Sequence, residues 1–98
     1  MIAIFHANPP DFMASRPPTT KYVHVAEVAT DDLEVAYMLT NTGHQYWWLN
    51  KDVTKTFSGL GCRSTSVGDM AILNGVTYLC KSCGWEVQTA SVPSPEEV

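Results

Sequence analysis

The residues of this chain best suited to chemistry are its three cysteines, two of which form a Cys-x-x-Cys pair. Cys80 and Cys83 are followed by Gly84, the spacing of a zinc knuckle, and Cys62 is available as a third ligand. A fourth ligand would have to be a histidine: His6, His24 or His44. A structural zinc site usually shows two clear ligand pairs, and this sequence has one, so we expect small packed cysteines. The sequence therefore predicts no metal and no cofactor, and a metal site at Cys62, Cys80 and Cys83 is the alternative.

Other reactive side chains are dispersed along the chain. Cys62, Ser64, Ser66 and the histidines make nucleophilic catalysis conceivable, but no nucleophile elbow or phosphate loop fixes their relative positions. A redox Cys-x-x-Cys pair is expected at the start of a helix, where the thiol pKa is lowered, and the surrounding residues here favour strands and turns. The sequence therefore does not predict an enzyme.

A polar loop, Arg63–Asp69, is the strongest candidate for a working surface, and we name it the serine loop. Arg63, Ser64 and Ser66 are suited to binding an anion or a partner protein, because a guanidinium group presents a planar fork of donors. The alternative is a turn that needs small hydrogen-bonding residues, with Arg63 paired internally to Asp69 or Glu34.

An aromatic cluster, Tyr46-Trp47-Trp48-Leu49, lies between the predicted helix and the serine loop. On an extended segment Trp47 and Trp48 would face opposite ways, so one would be buried and the other exposed. Because aromatic residues are enriched at binding hot spots, the exposed tryptophan is a candidate partner anchor.

The elements that position these residues are mostly strands. Asn74-Gly75 separates the apolar runs Met70–Leu73 and Val76–Cys80, a pattern that predicts a hairpin with a type I′ turn. Further strands are predicted at Ile2–Phe5, Lys21–Ala29 and Trp85–Thr89. Thr30 as N-cap, acidic residues in the first turn and helical spacing of apolar residues predict a helix from Asp31 to about Leu39. We therefore predict an α+β fold with a small antiparallel sheet of four to five strands and one main helix packed on it.

Composition limits the classes of function. The chain has 98 residues, 45% of them hydrophobic, and a net charge of −4, which argues against non-specific binding to nucleic acid or acidic membranes. No apolar run approaches the roughly 20 residues of a membrane span, and the N-terminal residues do not resemble a signal peptide. An odd number of cysteines fits a reducing compartment. We expect a cytoplasmic protein with one compact domain over residues 1–89 and a flexible tail over residues 90–98.

The serine loop and the strands after it carry a family resemblance. Arg63-Ser64-Thr65-Ser66-Val67-Gly68-Asp69, followed by Tyr78-Leu79-Cys80-Lys81-Ser82-Cys83-Gly84-Trp85, resembles the YodL-like small domains of phages, plasmids and other mobile elements. Those domains share a Ser-x-Ser-Val-x-Asp turn, a strand pair and a Tyr-x-Val-x-Ser-x-Gly-aromatic ending. Asp32-Leu33-Glu34, with Tyr37 and Asn41, is similar to the helix before that turn. The resemblance covers residues 20–88, with a poorly matched middle. It places Cys80 and Cys83 where the family has Val and an aromatic residue, which favours packing over metal binding.

The family has no defined activity, so the resemblance implies a context and not a mechanism. We expect a small phage or mobile-element accessory protein that binds a host or phage protein and modifies its activity. The predicted partner-binding residues are Arg63, Ser64, Ser66, Trp47 and Trp48. The alternatives are a metal-stabilised binding module and a nucleotide- or nucleic-acid-binding domain that uses the serine loop.

Overall fold

A single antiparallel sheet dominates the computed structural model, which describes residues 1–12, 20–42 and 46–88. Within those residues the sheet has six strands in the order β3-β2-β1-β4-β5-β6. The strands are β1 Ile2–Asn8, β2 Lys21–Val28, β3 Val53–Lys55, β4 Met70–Leu73, β5 Val76–Lys81 and β6 Gly84–Val87. One α-helix, α1 Leu33–Thr40, and a 3₁₀ turn, Trp47–Leu49, complete the described elements.

The two faces of the sheet bury different sets of apolar residues, as the alternation of side chains along strands requires. Ile4 and Ala71, which pair across β1 and β4, belong to the larger core with Trp47 and Phe57. The neighbouring pair, Phe5 and Met70, belongs to a smaller cluster on the opposite face. His6, next along β1, therefore points to the larger core, where its ring centroid lies 6.1 Å from that of Trp47.

A β-bulge between β1 and β2 shapes the larger core. Ile4 pairs with Ala26 and Phe5 pairs with His24, so Val25 has no partner residue on β1. An extra residue of this kind lets two consecutive side chains lie on one side of the strand. Val25 and Ala26 are accordingly both buried in the larger core.

The hairpin prediction is confirmed. β4 and β5 are joined by Asn74 and Gly75, whose φ angles are 53° and 79°. Positive φ at both central residues is the condition for a type I′ turn, and this turn matches the twist of the strands it joins. Register pairs Leu73 with Val76 and Met70 with Leu79.

The helix begins two residues later than predicted. Asp32, and not Thr30, is the N-cap: its Oδ1 accepts from the backbone N–H groups of Glu34 at 2.9 Å and Val35 at 3.4 Å. Thr30 instead accepts from the backbone N–H of Asp32 at 3.1 Å. Thr40 ends the helix with its hydroxyl donating to the Ala36 carbonyl at 2.8 Å.

The predicted fold class is wrong in strand number and in the weight given to the helix. The described residues form a six-stranded, mostly-sheet structure in which α1 spans eight residues. The missed strand is β3, whose three residues are too few to show a period-two pattern and which pairs with β2 at the sheet edge. The predicted tail at residues 90–98 and the possible ligand His44 lie outside the described residues. Among those residues no helix is long and apolar enough to cross a membrane.

Candidate functional site

The serine loop is anchored to the end of the helix. The backbone N–H of Thr65 donates to the Thr40 carbonyl at 2.9 Å, and the Asn41 amide donates to the Thr65 carbonyl at 2.7 Å. Thr65 is fully buried. Gly68 closes the loop at a φ of 96°, and a Cβ there would lie 1.8 Å from the Asp11 carbonyl oxygen. A glycine is therefore required by both the backbone conformation and the close approach of residue 11.

Asp69 is the centre of the loop and is fully buried. Its Oδ1 accepts from the backbone N–H of Ala7 at 2.8 Å, and its Oδ2 accepts from the backbone N–H of Ser66 at 2.7 Å. The Arg63 guanidinium donates to both oxygens, at 2.8 Å and 2.7 Å. The carboxylate thus receives four donors, which is what a buried charge needs, and it ties the loop to β1.

Arg63 is engaged inside the protein. Besides Asp69, its terminal nitrogens donate to the carbonyl of Ala7 at 2.9 Å, and to the Ser64 carbonyl and Ser66 hydroxyl at 3.2 Å each. Burial acts to lower the pKa of Arg63, and the hydrogen bonds and charge of Asp69 raise it above its ordinary value. The internal pairing with Asp69 is therefore present, and the two terminal nitrogens already have protein acceptors. Direct contact of Arg63 with a partner stays a prediction.

His6 lies beside this network and contacts a cysteine. Its Nε2 is 2.9 Å from the Thr65 hydroxyl and 3.8 Å from Asp69 Oδ2, and its Nδ1 is 3.5 Å from the Cys62 sulfur. Burial lowers the pKa of His6 to about 4, against a smaller raising effect of Asp69. The imidazole is therefore neutral at pH 7, and its approach to Asp69 is a polar contact and not an ion pair. Burial also raises the pKa of Cys62, so the resting pair is a thiol and a neutral imidazole.

The Cys62–His6 pair borders an open groove of about 290 Å³. The groove lies between the end of β1 and the segment that leads into the serine loop. Its apolar walls include Val23, Val25 and Phe57, and Asn8 and Ser58 add polar groups. We name it the Cys62 groove.

A second cavity, of about 270 Å³, lies at the β5–β6 turn. Cys80 and Cys83 border it, together with Glu34 and the rings of Tyr37 and Trp85, which meet edge to face at 6.3 Å. Burial raises the pKa of Cys80 to about 11. Cys80 is thus a protonated, packed thiol, whereas Cys83 is exposed.

The two tryptophans lie on a 3₁₀ turn and not on an extended segment, so the alternation of side chains along a strand does not apply to them. Trp47 is buried, and its indole N–H donates to the Arg63 carbonyl at 3.1 Å. This hydrogen bond fixes the start of the serine loop to the core. Trp48 is half-buried and packs edge to face on Trp47 and on Phe57, with ring centroids 5.4 Å and 5.3 Å apart. The ring of Tyr46 also contacts Trp48, with a centroid separation of 5.1 Å.

The structure brings several predicted site residues together. Trp47 supports Arg63, and Arg63 contacts Ser64 and Ser66. The sequence indicates His6 only as a possible metal ligand or base, and its contact with Cys62 has no local sequence signal because 56 residues separate them. In residues 1–12, 20–42 and 46–88 no group of three or more His, Cys, Asp or Glu side chains is placed to hold a metal ion. The alternative site at Cys62, Cys80 and Cys83 gains no support.

No family model, curated protein or solved structure matches this chain.

Proposed function

We propose that this protein is a small binding module that modifies the activity of a partner protein. The observation that carries the proposal is an exposed apolar surface around the 3₁₀ turn. Tyr46 is 67% exposed and Leu49 is 72% exposed, and Trp48 lies half-buried against Tyr46. We name these three residues the aromatic surface. Exposed apolar residues concentrated in one region are characteristic of protein interaction sites.

The aromatic surface rests on a rigid support. Trp48 packs on Phe57, and Lys55 lies over the Phe57 ring at 4.7 Å while its ammonium group donates to the Gly59 carbonyl at 2.8 Å. The neighbouring Trp47 is hydrogen-bonded through its indole N–H to the Arg63 carbonyl of the serine loop. A preorganised surface loses little conformational entropy on binding, so more of the contact energy is available for affinity.

The partner class follows from charge and from the hydrogen bonds of the serine loop. A net charge of −4 disfavours nucleic acid, and the terminal nitrogens of Arg63 already have internal acceptors, which weakens the nucleotide alternative. The resemblance to YodL-like domains supports a host or phage protein as the partner. The three free cysteines agree with action in the cytoplasm.

The test compares two exposed apolar residues on different elements. A partner is first identified by capture from a host lysate with the wild-type protein, and its affinity is then measured with purified components. The test variant is Leu49→Asp, which changes a residue of the aromatic surface. The control variant is Met38→Asp, because Met38 on α1 is also exposed, at 60%. We expect Leu49→Asp to weaken binding at least about 30-fold, which corresponds to about 2 kcal/mol for a binding hot spot.

The control should bind within about twofold of the wild type, because isolated surface changes have small effects. Both variants should keep the wild-type melting temperature. Equal affinity of Leu49→Asp and the wild type would contradict the aromatic surface as the contact, and loss of binding in both would point to a general charge effect.

A further inference from the structure

We propose that Cys62 and His6 form a nucleophile–base pair that accepts an acyl group from an activated ester or thioester bound in the Cys62 groove. This activity is separate from partner binding and does not depend on it. The arrangement has the three parts of such a site: a nucleophile, a base within reach, and a group that orients the base.

The geometry assigns a role to each group. The Cys62 sulfur is 3.5 Å from His6 Nδ1, a distance suited to proton transfer from the thiol. His6 Nε2 is 2.9 Å from the Thr65 hydroxyl. Thr65 is itself held in place by the hydrogen bond from its backbone N–H to the Thr40 carbonyl. The ring is buried, so it has little freedom to turn away. Thr65 is thus a positioning residue that fixes which nitrogen faces the thiol.

Both groups are uncharged at rest, so the pair acts by proton transfer during attack and not through a preformed thiolate. His6 is neutral at pH 7, and we assign its N–H to Nε2, which faces the Thr65 hydroxyl and the Asp69 carboxylate, so that Nδ1 is free to accept a proton. When Nδ1 takes the thiol proton, the Asp69 carboxylate at 3.8 Å stabilises the imidazolium, and Arg63 opposes that effect. The thiol is therefore unreactive until an electrophile is bound beside it.

The groove favours an acyl donor with an apolar chain. Val23, Val25 and Phe57 border the same open space as the Cys62 thiol. An apolar acyl group laid along these side chains gains hydrophobic contact, whereas a carboxylate or phosphate meets an arginine already bonded to Asp69.

The reaction balances without a cofactor. The Cys62 sulfur attacks the carbonyl carbon as His6 Nδ1 takes the thiol proton. The bond from the carbonyl carbon to the leaving alkoxide or thiolate then breaks, and His6 returns the proton to the leaving group. Cys62 now carries a thioester. A water molecule, deprotonated by His6, attacks that thioester and releases the carboxylic acid and the free thiol.

The test uses the other two cysteines of the same chain as internal references. The folded protein is treated briefly with 4-nitrophenyl butyrate or, separately, with iodoacetamide, and labelling at each cysteine is measured by peptide mass spectrometry. The rate of labelling by iodoacetamide depends on the fraction of thiolate and on the exposure of the sulfur. Iodoacetamide should therefore label the exposed Cys83 faster than Cys62. The ester should acylate Cys62 at least about tenfold faster than Cys83, because general-base assistance contributes about a hundredfold or more. Cys80, a buried thiol whose pKa is also raised, should react slowly with both reagents.

The variant His6→Gln supplies the second arm. It should remove the preference for Cys62 in the ester reaction and leave the Cys83 rates with both reagents unchanged. Ester labelling of Cys83 as fast as Cys62 in the wild type, or a Cys62 preference that survives His6→Gln, would overturn the proposal. The wild-type comparison needs no variant, so the proposal is tested even where His6→Gln fails to fold.

Discussion

Asp69 sets the structure of the serine loop because it is charged and fully buried. Such a carboxylate is tolerated only when donors surround it, and here Arg63, Ala7 and Ser66 supply them. The sequence of the serine loop resembles an exposed binding motif. In the structure, however, Arg63 and the backbone N–H of Ser66 donate hydrogen bonds to the buried Asp69 carboxylate.

Arg63→Ala should lower the free energy of unfolding by about 3 kcal/mol or more, because it leaves the buried Asp69 charge with two backbone donors and no cation. Denaturant unfolding measures this loss. Lys81→Ala is the matched control: Lys81 pairs with Glu86 at 3.8 Å, both side chains are partly exposed, and we expect a change below about 1 kcal/mol. Similar losses in the two variants would show that Arg63 does not hold the loop.

His6 should make stability depend on pH. Its pKa is about 4 in the folded protein against 6.5 unperturbed, so the unfolded chain binds more protons between these values and stability falls as the pH is lowered through this window. Since each pKa unit corresponds to about 1.4 kcal/mol, the full loss from this residue is about 3 kcal/mol and is complete near pH 4. Above about pH 6.5 the residue should contribute no pH dependence.

The measurement is denaturant unfolding at several pH values between 4 and 8 for the wild type and His6→Gln. Carboxylates also titrate near the lower end, so the prediction concerns the difference between the two curves. That difference should be constant above about pH 6.5 and should change steadily below it. Parallel curves throughout would show that His6 titrates normally in the folded protein.

At the scale of elements, the sequence predicted what local chemistry determines and missed what packing determines. Asn74-Gly75 specifies its turn because few residue pairs accept two positive φ angles. β3 and the 3₁₀ turn carry no such signal: β3 is held by pairing with β2, and the 3₁₀ turn by the burial of Trp47. Extension of β1 to Asn8 likewise depends on pairing with β2, and it is this extension that places His6 at the site.

Gly75→Val should lower the free energy of unfolding by about 1 kcal/mol or more. A Cβ at Gly75 meets no atom within 4 Å, so the cost comes from its φ of 79°, which a β-branched residue resists. Gly61→Val is the matched control, because a Cβ there also meets nothing within 4 Å and its φ is not in the positive range. Thermal unfolding of both variants measures the difference, and equal melting temperatures would contradict the type I′ turn.

At the scale of the whole molecule, the candidate site exists because the sheet joins distant segments. Ala7 on β1 and Asp69 before β4 are 62 residues apart in sequence, and the antiparallel pairing of β1 with β4 brings them into contact. Sequence spacing indicates the serine loop but not its neighbour on β1. Predicting His6 as a partner of Cys62 would have required the strand order and register as well as the residue types.

The same architecture predicts that folding does not depend on a metal ion. Cys62 borders the groove beside β1, whereas Cys80 and Cys83 border the cavity at the β5–β6 turn. A structural zinc ion contributes directly to folding, so its removal would unfold a domain built on it. We expect the melting temperature to be the same with and without excess chelator, and elemental analysis to find no stoichiometric zinc. Cys83→Ser, which alters an exposed thiol, should also leave the melting temperature unchanged. One zinc ion per chain, lost together with stability in Cys83→Ser, would contradict this prediction and establish the Cys-x-x-Cys turn as a metal site.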